Sequence, residues 1–217
     1  MRIMVKTIRS IAGQPLARFI AVFFAVLAIT LIIFRQLGDW LIAADPPPPH
    51  LDVVCTFAGD RQRVVYSKEL MFRHPEAHWF LSDYKNGHGR LLQKNSFDMH
   101  RVTIVDTCNN TVSEVNALCE WLDRYRPPPP SGASGGDAVR LHVGLVSSPY
   151  HMRRIKIIAS NRLSRPDIRW YLLPVPLEQY RWNRDTFRYW WRSGVITSIT
   201  VLELMKIGYF LLTGYWG

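Results

Sequence analysis

Between Phe19 and Phe34 the chain runs for sixteen residues without a charged side chain. Counted from Leu16, the stretch makes about 28 Å of helix at about 1.5 Å per residue, close to the roughly 30 Å hydrocarbon core of a bilayer. Arg18 lies near enough to the inner end to snorkel to the interface. This segment splits the chain into a short tail, an apolar helix and a domain-sized remainder, and each part is read separately.

The flanks of the run set its direction. Residues 1–18 hold Arg2, Lys6, Arg9 and Arg18 and no acid, whereas the far side sets Arg35 against Asp39, Asp45 and Asp52. The positive-inside rule then predicts a cytoplasmic N-terminus, with everything after Trp40 outside a bacterial inner membrane, facing the periplasm. The expected division is a basic tail at 1–18, an anchor at 19–44, a proline spacer at 45–50 and an extracytoplasmic domain at 51–217. A signal peptide cleaved near Ala43-Ala44 is the competing reading. The run is long for that, and Arg35, Asp39 and Trp40 separate it from those alanines. Pro46 to Pro49 reads as a stiff polyproline spacer lifting the domain off the anchor. Pro127 to Pro130, with the Ser/Gly-rich residues after it, reads as an exposed loop.

Charge narrows the partners. The formal net charge is +10, of which the N-terminal tail supplies four, and Arg153, Arg154, Lys156, Arg162, Arg165 and Arg169 face only Asp167. Outside a membrane such a balance favours lipid head groups, lipid-linked phosphates or anionic wall polymers over nucleic acid, with a nucleotide-like ligand as a further candidate, unless it is simply a solvated basic surface. Three cysteines are too few for a disulfide scaffold. Cys55 and Cys119 read as buried thiols, and a Cys108 to Cys119 bridge has only the oxidising compartment in its favour.

From residue 51 apolar strands alternate with amphipathic helices. Leu51–Phe57, Ala77–Ser82, Arg101–Asp106, Val139–Val146 and Arg169–Val175 read as strands. Gln62–Arg73, Thr111–Arg126, Pro149–Asn161 and about Ser193–Thr213 read as helices. Right-handed βαβ crossovers follow, and with them an α/β fold of Rossmann-like or flavodoxin-like kind, a parallel sheet with helices on both faces. Ligands in such folds sit beyond the carboxyl ends of the strands.

Those ends supply the candidate site. Ser147-Ser148-Pro149 breaks strand into helix, with Ser148 at the cap and Pro149 in the first turn, and points free amides and a positive dipole end outward. His151 in that first turn is disfavoured as imidazolium, which suits a general base or ligand contact, and Arg154 one turn on suits an anion clamp. Asn110, Thr111 and Glu114 open another helix, Thr111 and Glu114 in the spacing of a capping box. Gly59, Asp60, Arg63 and Ser82 follow the first two strands. Asp60 is either a carboxylate acid or base or an ordinary turn residue, and Arg63 either holds a phosphate or pairs with Asp60. The chain has no GxSxG, no phosphate loop, no HExxH and no CxxC, and its histidines are scattered, so no metal and no particular cofactor is implied.

The last segment has two readings. Val195 to Thr213 is apolar enough for a second span, but Glu203 and Lys206 near its centre cost about 2.5 to 3.5 kcal/mol each on insertion, which favours a helix covering the sheet. Just before it, Arg188-Tyr189-Trp190-Trp191-Arg192 mixes cations and aromatics as interfacial belts do, or simply packs inside.

Four blocks together resemble the YdcF-like family of bacterial envelope factors, to which SanA and ElyC belong, a domain of unknown function. They are Ala58-Gly59-Asp60 with Arg63 and Glu69-Leu70; Asn109-Asn110-Thr111 with Glu114; Val146-Ser147-Ser148-Pro149-Tyr150-His151 through Arg154; and Glu203, Lys206 and Tyr209. The resemblance implies a Rossmann-like fold, an inner-membrane anchor and a role in cell-envelope or peptidoglycan biogenesis, through a lipid carrier, with no settled reaction. The chain departs from the family at Thr56-Phe57-Ala58-Gly59 and Ser82-Asp83, where the family carries more glycine. Those bulkier turns leave room for another reading, a non-enzymatic assembly subunit with a vestigial pocket that binds a membrane complex through the C-terminal aromatic region.

Overall fold

The computed structural model describes residues 2–83, 87–94, 97–125 and 140–213. Helix α1 (Arg2–Leu41) leads into β1 (Val53–Thr56), α2 (Arg61–Arg73), β2 (His78–Ser82), α3 (Gly87–Lys94), β3 (Val102–Val105), α4 (Thr111–Arg124), β4 (Leu141–Ser147), α5 (Met152–Arg162), β5 (Ile168–Pro174), α6 (Arg184–Arg188) and α7 (Gly194–Thr213). The five strands form one sheet in the order β3-β2-β1-β4-β5, every pairing parallel. That order is Rossmann-like rather than flavodoxin-like, and it puts the topological switch point between β1 and β4.

Alternation along the strands builds two cores. Val53, Cys55, Val143 and Leu145 turn to one face, under Val115 and Leu118 of α4 and Ile155 and Ile158 of α5. Val54, Trp79, Leu81 and Val146 turn to the other, under Val64, Leu70 and Met71 of α2. Strands β1, β2 and β4 are buried on both faces along nearly their whole length, so they read in the sequence as continuous apolar runs, while the edge strand β3 is half-buried throughout. Of the expected elements, all five strands are present. The short helices α3 and α6 are additions, and the loop expected at Pro127 to Pro130 lies outside the described residues. Cys55, Cys108 and Cys119 are free thiols.

Helix α1 is long and apolar enough over Leu16–Leu41 to cross a membrane. Its last turns enter the domain beside the carboxyl edge of the sheet. Trp190 Nε1 donates to Phe34 O at 3.1 Å, with the two rings 4.8 Å apart. Leu37, Tyr150 and Leu177 pack around Phe187, Trp190 and Ile196. Gly38 permits this approach, because a Cβ there would collide with Phe187 O. The chain then climbs the outer side of β5, where Asp45 N donates to Leu172 O at 2.9 Å and Leu172 N to Asp45 Oδ2 at 2.8 Å, and reaches β4 at Asp52, whose N donates to His142 O at 2.9 Å. The proline tract therefore lies along the sheet, with Pro48 buried. It is a strap rather than the expected spacer, since the carboxylate of Asp45 ties the segment down to β5 before the prolines begin.

Candidate functional site at the carboxyl edge of the sheet

Beyond the ends of β1 and β4 lies a cavity of about 1240 Å³. Of the residues singled out in the sequence, Gly59, Arg63, Asn110, Thr111, Glu114, His151 and Arg154 line it. Asp60, Ser82, Ser147 and Ser148 do not; they form the layer behind.

The floor is the start of α4. Asn110 is its cap, accepting from Ser113 N at 2.9 Å, while the Ser113 hydroxyl returns to Asn110 N at 3.3 Å. The capping box is thus Asn110/Ser113 and not Thr111/Glu114. The physical consequence of this one-residue shift is that both residues are released from capping. Thr111 Oγ1 accepts from Arg154 Nη1, and Glu114 Oε1 accepts from Ala58 N at 2.6 Å. Burial raises Glu114 above the usual carboxylate value, against the pull of the Ala58 amide. The first amides of α4, at Thr111 and Val112, belong to residues that line the cavity.

One wall is the loop after β1. Arg63 is buried, and its guanidinium donates to Phe57 O at 3.3 Å, to Ala58 O, and through Nε to Ser148 Oγ at 2.9 Å. Gly59 has φ 156°, and a Cβ on it would run into that guanidinium. Asp60 is the cap of α2 and accepts from Ser148 Oγ at 2.7 Å and Tyr180 OH at 2.9 Å. Its carboxylate is therefore taken up in holding α2, β4 and the segment after β5 together. Ser148 makes no capping bond, in contrast to the expectation, because its hydroxyl is spent on Asp60. The expected helix from Pro149 correspondingly opens as a 3-10 turn, Pro149–His151, before α5. Ser82 is buried and the buried Ser147 hydroxyl has no partner among the described residues.

The opposite wall is a charge cluster on which α5 and α7 meet. Glu203 Oε2 lies 2.9 Å from Arg154 Nε and 3.1 Å from His151 Nδ1, and Glu203 Oε1 lies 2.8 Å from Lys206 Nζ. Burial lowers the His151 imidazole to about 4, outweighing the Glu203 hydrogen bond that raises it. His151 Nδ1 lies 3.1 Å from Glu203 Oε2 and 3.1 Å from Arg154 Nη2, so the neutral ring either donates from Nδ1 to Glu203, leaving the lone pair on Nε2, or accepts at Nδ1 from Arg154 and carries its proton on Nε2. Burial alone would raise Glu203, yet its partners hold it below the usual carboxylate range. With His151 neutral, its charged partners near neutral pH are Arg154 and Lys206.

Sequence reasoning singled out Glu203 and Lys206 as a motif, not as site residues, and it passed over Tyr180. The available signal was a carboxylate and an ammonium three residues apart within an apolar helix, a pairing that leaves Glu203 free to accept from a third group. Among the described residues no cluster of three His, Cys, Asp or Glu side chains is arranged to hold a metal.

No family model, curated protein or solved structure matches the chain. Fold and site alone define its class: a Rossmann-like α/β protein with a helix able to cross a membrane and a cavity at the carboxyl edge of its sheet.

Proposed function

We infer that the protein is a membrane-anchored factor of cell-envelope biogenesis, peptidoglycan or lipid-carrier related, that binds an anionic, phosphate-bearing ligand in the cavity at the carboxyl edge of the sheet. The observation that carries this reading is the meeting of Arg154 with the start of α4: the guanidinium bonds Thr111 Oγ1 beside the first amides of that helix. A phosphate there would find oriented N–H groups, a helix dipole and a bidentate cation together. In the tautomer that donates from Nδ1 to Glu203, the neutral His151 offers Nε2 as an acceptor for a proton from the ligand or a water. The resemblance to the YdcF-like family and the basic N-terminal tail support the envelope setting, with the domain on the periplasmic side of an inner membrane.

The test is calorimetric titration of the full chain in detergent with pyrophosphate and with a long-chain alkyl phosphate. Saturable binding is expected, and it weakens in Thr111→Val and Arg154→Lys while the fold, followed by circular dichroism, is kept. If neither phosphate binds, the reading fails.

A further inference from the structure

Helix α7 is built inside out for a water-soluble cover helix. Its inward side carries Thr200 and Glu203 among Ile196, Ile207 and Phe210. Its outward side carries Val195, Val201, Leu202, Met205, Tyr209 and Leu212, all exposed and recurring at helical spacing. The cation on that side, Lys206, is turned onto Glu203. Water would reward the reverse arrangement, and an apolar face of this length on a monomer marks a surface that something covers.

What covers it follows from its place. The helix starts two residues after Trp190–Arg192, whose Trp190 and Trp191 rings pack at a tilt against Phe34 at the outer end of the apolar part of α1. From there it crosses the carboxyl edge of the sheet, meeting α5 at Arg154 and the core beside α4 at Phe210. Around the same end lie three cation and aromatic pairs, Arg35 over Trp191 at 6.0 Å, Arg153 over Trp40 at 4.7 Å and Arg192 over Tyr189 at 4.7 Å. Aromatic rings with guanidinium groups at one level are what the head-group region of an anionic bilayer selects.

We propose that the outward face of α7 lies in the surface of the bilayer that α1 crosses, so that the domain sits edge-on against anionic phospholipid with its cavity opening at the membrane. The helix lies in the interface and does not span: Glu203 faces the domain, where Arg154 and His151 meet it, and the residues facing the lipid are apolar apart from Ser198 and the half-exposed Lys206. Leu202, Met205 and Tyr209 belong both to this face and to the rim of the cavity, so a ligand with an apolar tail would reach the site without leaving the lipid. The proposal rests on the reading of α1 as an anchor.

The experiment uses the full chain reconstituted in vesicles of phosphatidylglycerol and phosphatidylethanolamine, with p-benzoylphenylalanine replacing Val201, Met205 or Leu212 in turn, and Arg124 at the far end of α4 as the control. Irradiation is expected to give a lipid adduct at each of the three α7 positions and none at Arg124. A cross-linked dimer of the chain at those positions would assign the face to a second copy, and absence of any adduct would leave it in water; either overturns the proposal. Alkaline extraction of the same vesicles separates the two readings. Chain that stays in the pellet without lipid adducts refutes the seating of α7 alone, whereas chain released into the supernatant refutes the anchor as well.

Discussion

Acidification should destabilise this protein through His151, and the size of the effect follows from its surroundings. The imidazole falls from an ordinary 6.5 to about 4 in the fold because burial costs the charged form more than Glu203 returns. Between those values the unfolded chain binds a proton that the folded chain does not, so stability rises with pH across the window from 4 to 6.5. Taking both protonation equilibria, the His151 contribution between pH 7.5 and pH 4.5 is about 2.5 kcal/mol, lost on going down. Other groups titrate in this range, and Glu114, raised by burial, has the opposite slope at its lower end. The informative quantity is therefore the stability of the wild type minus that of His151→Gln, followed by urea unfolding with tryptophan fluorescence in detergent at several pH values. The difference should rise with pH by roughly that amount. A flat difference, or a wild type that gains on His151→Gln as pH falls, would mean that an imidazolium pairs with Glu203, and the neutral imidazole would be wrong.

Three further outcomes check the rest of the site and the fold. Glu203→Ala should cost about 3 kcal/mol in the same unfolding assay, because it strands Arg154 in a nearly buried position, whereas Lys206→Ala, whose ammonium is half exposed, should cost under about 1 kcal/mol. Gly59→Ala should destabilise by about 1 to 3 kcal/mol and weaken phosphate binding in calorimetry, since its Cβ must displace the Arg63 guanidinium. Phe80→Ala, fully buried on β2, should lose about 3 to 5 kcal/mol without altering the local geometry reported by His151 NMR shifts.

The sheet was legible because parallel strands buried on both faces leave continuous apolar runs, and those runs are local. Helix α3 escaped notice since its opening, Gly87-His88-Gly89, argues against a helix; Asp83 compensates by accepting from Gly89 N at 2.8 Å. The frame of α4 differs from the expectation because two capping patterns, Asn110/Ser113 and Thr111/Glu114, overlap one residue apart within residues 110–114. Only the approach of Ala58 N and Arg154 from other elements favours the first. Glu203 and Tyr180 could not be joined to the site from sequence, since their partners lie 49 and 120 residues away. The proline tract misled for the same reason: its stiffness is local, but the backbone of β5 that it follows is not.

The most direct measurement is an experimental structure of the full chain with a long-chain alkyl phosphate bound. The account predicts phosphate density between Arg154 and the first amides of α4, with the alkyl chain leaving past Leu202 and Met205. A phosphate bound elsewhere on the protein, with the carboxyl-edge cavity passed over at saturating ligand, would contradict it.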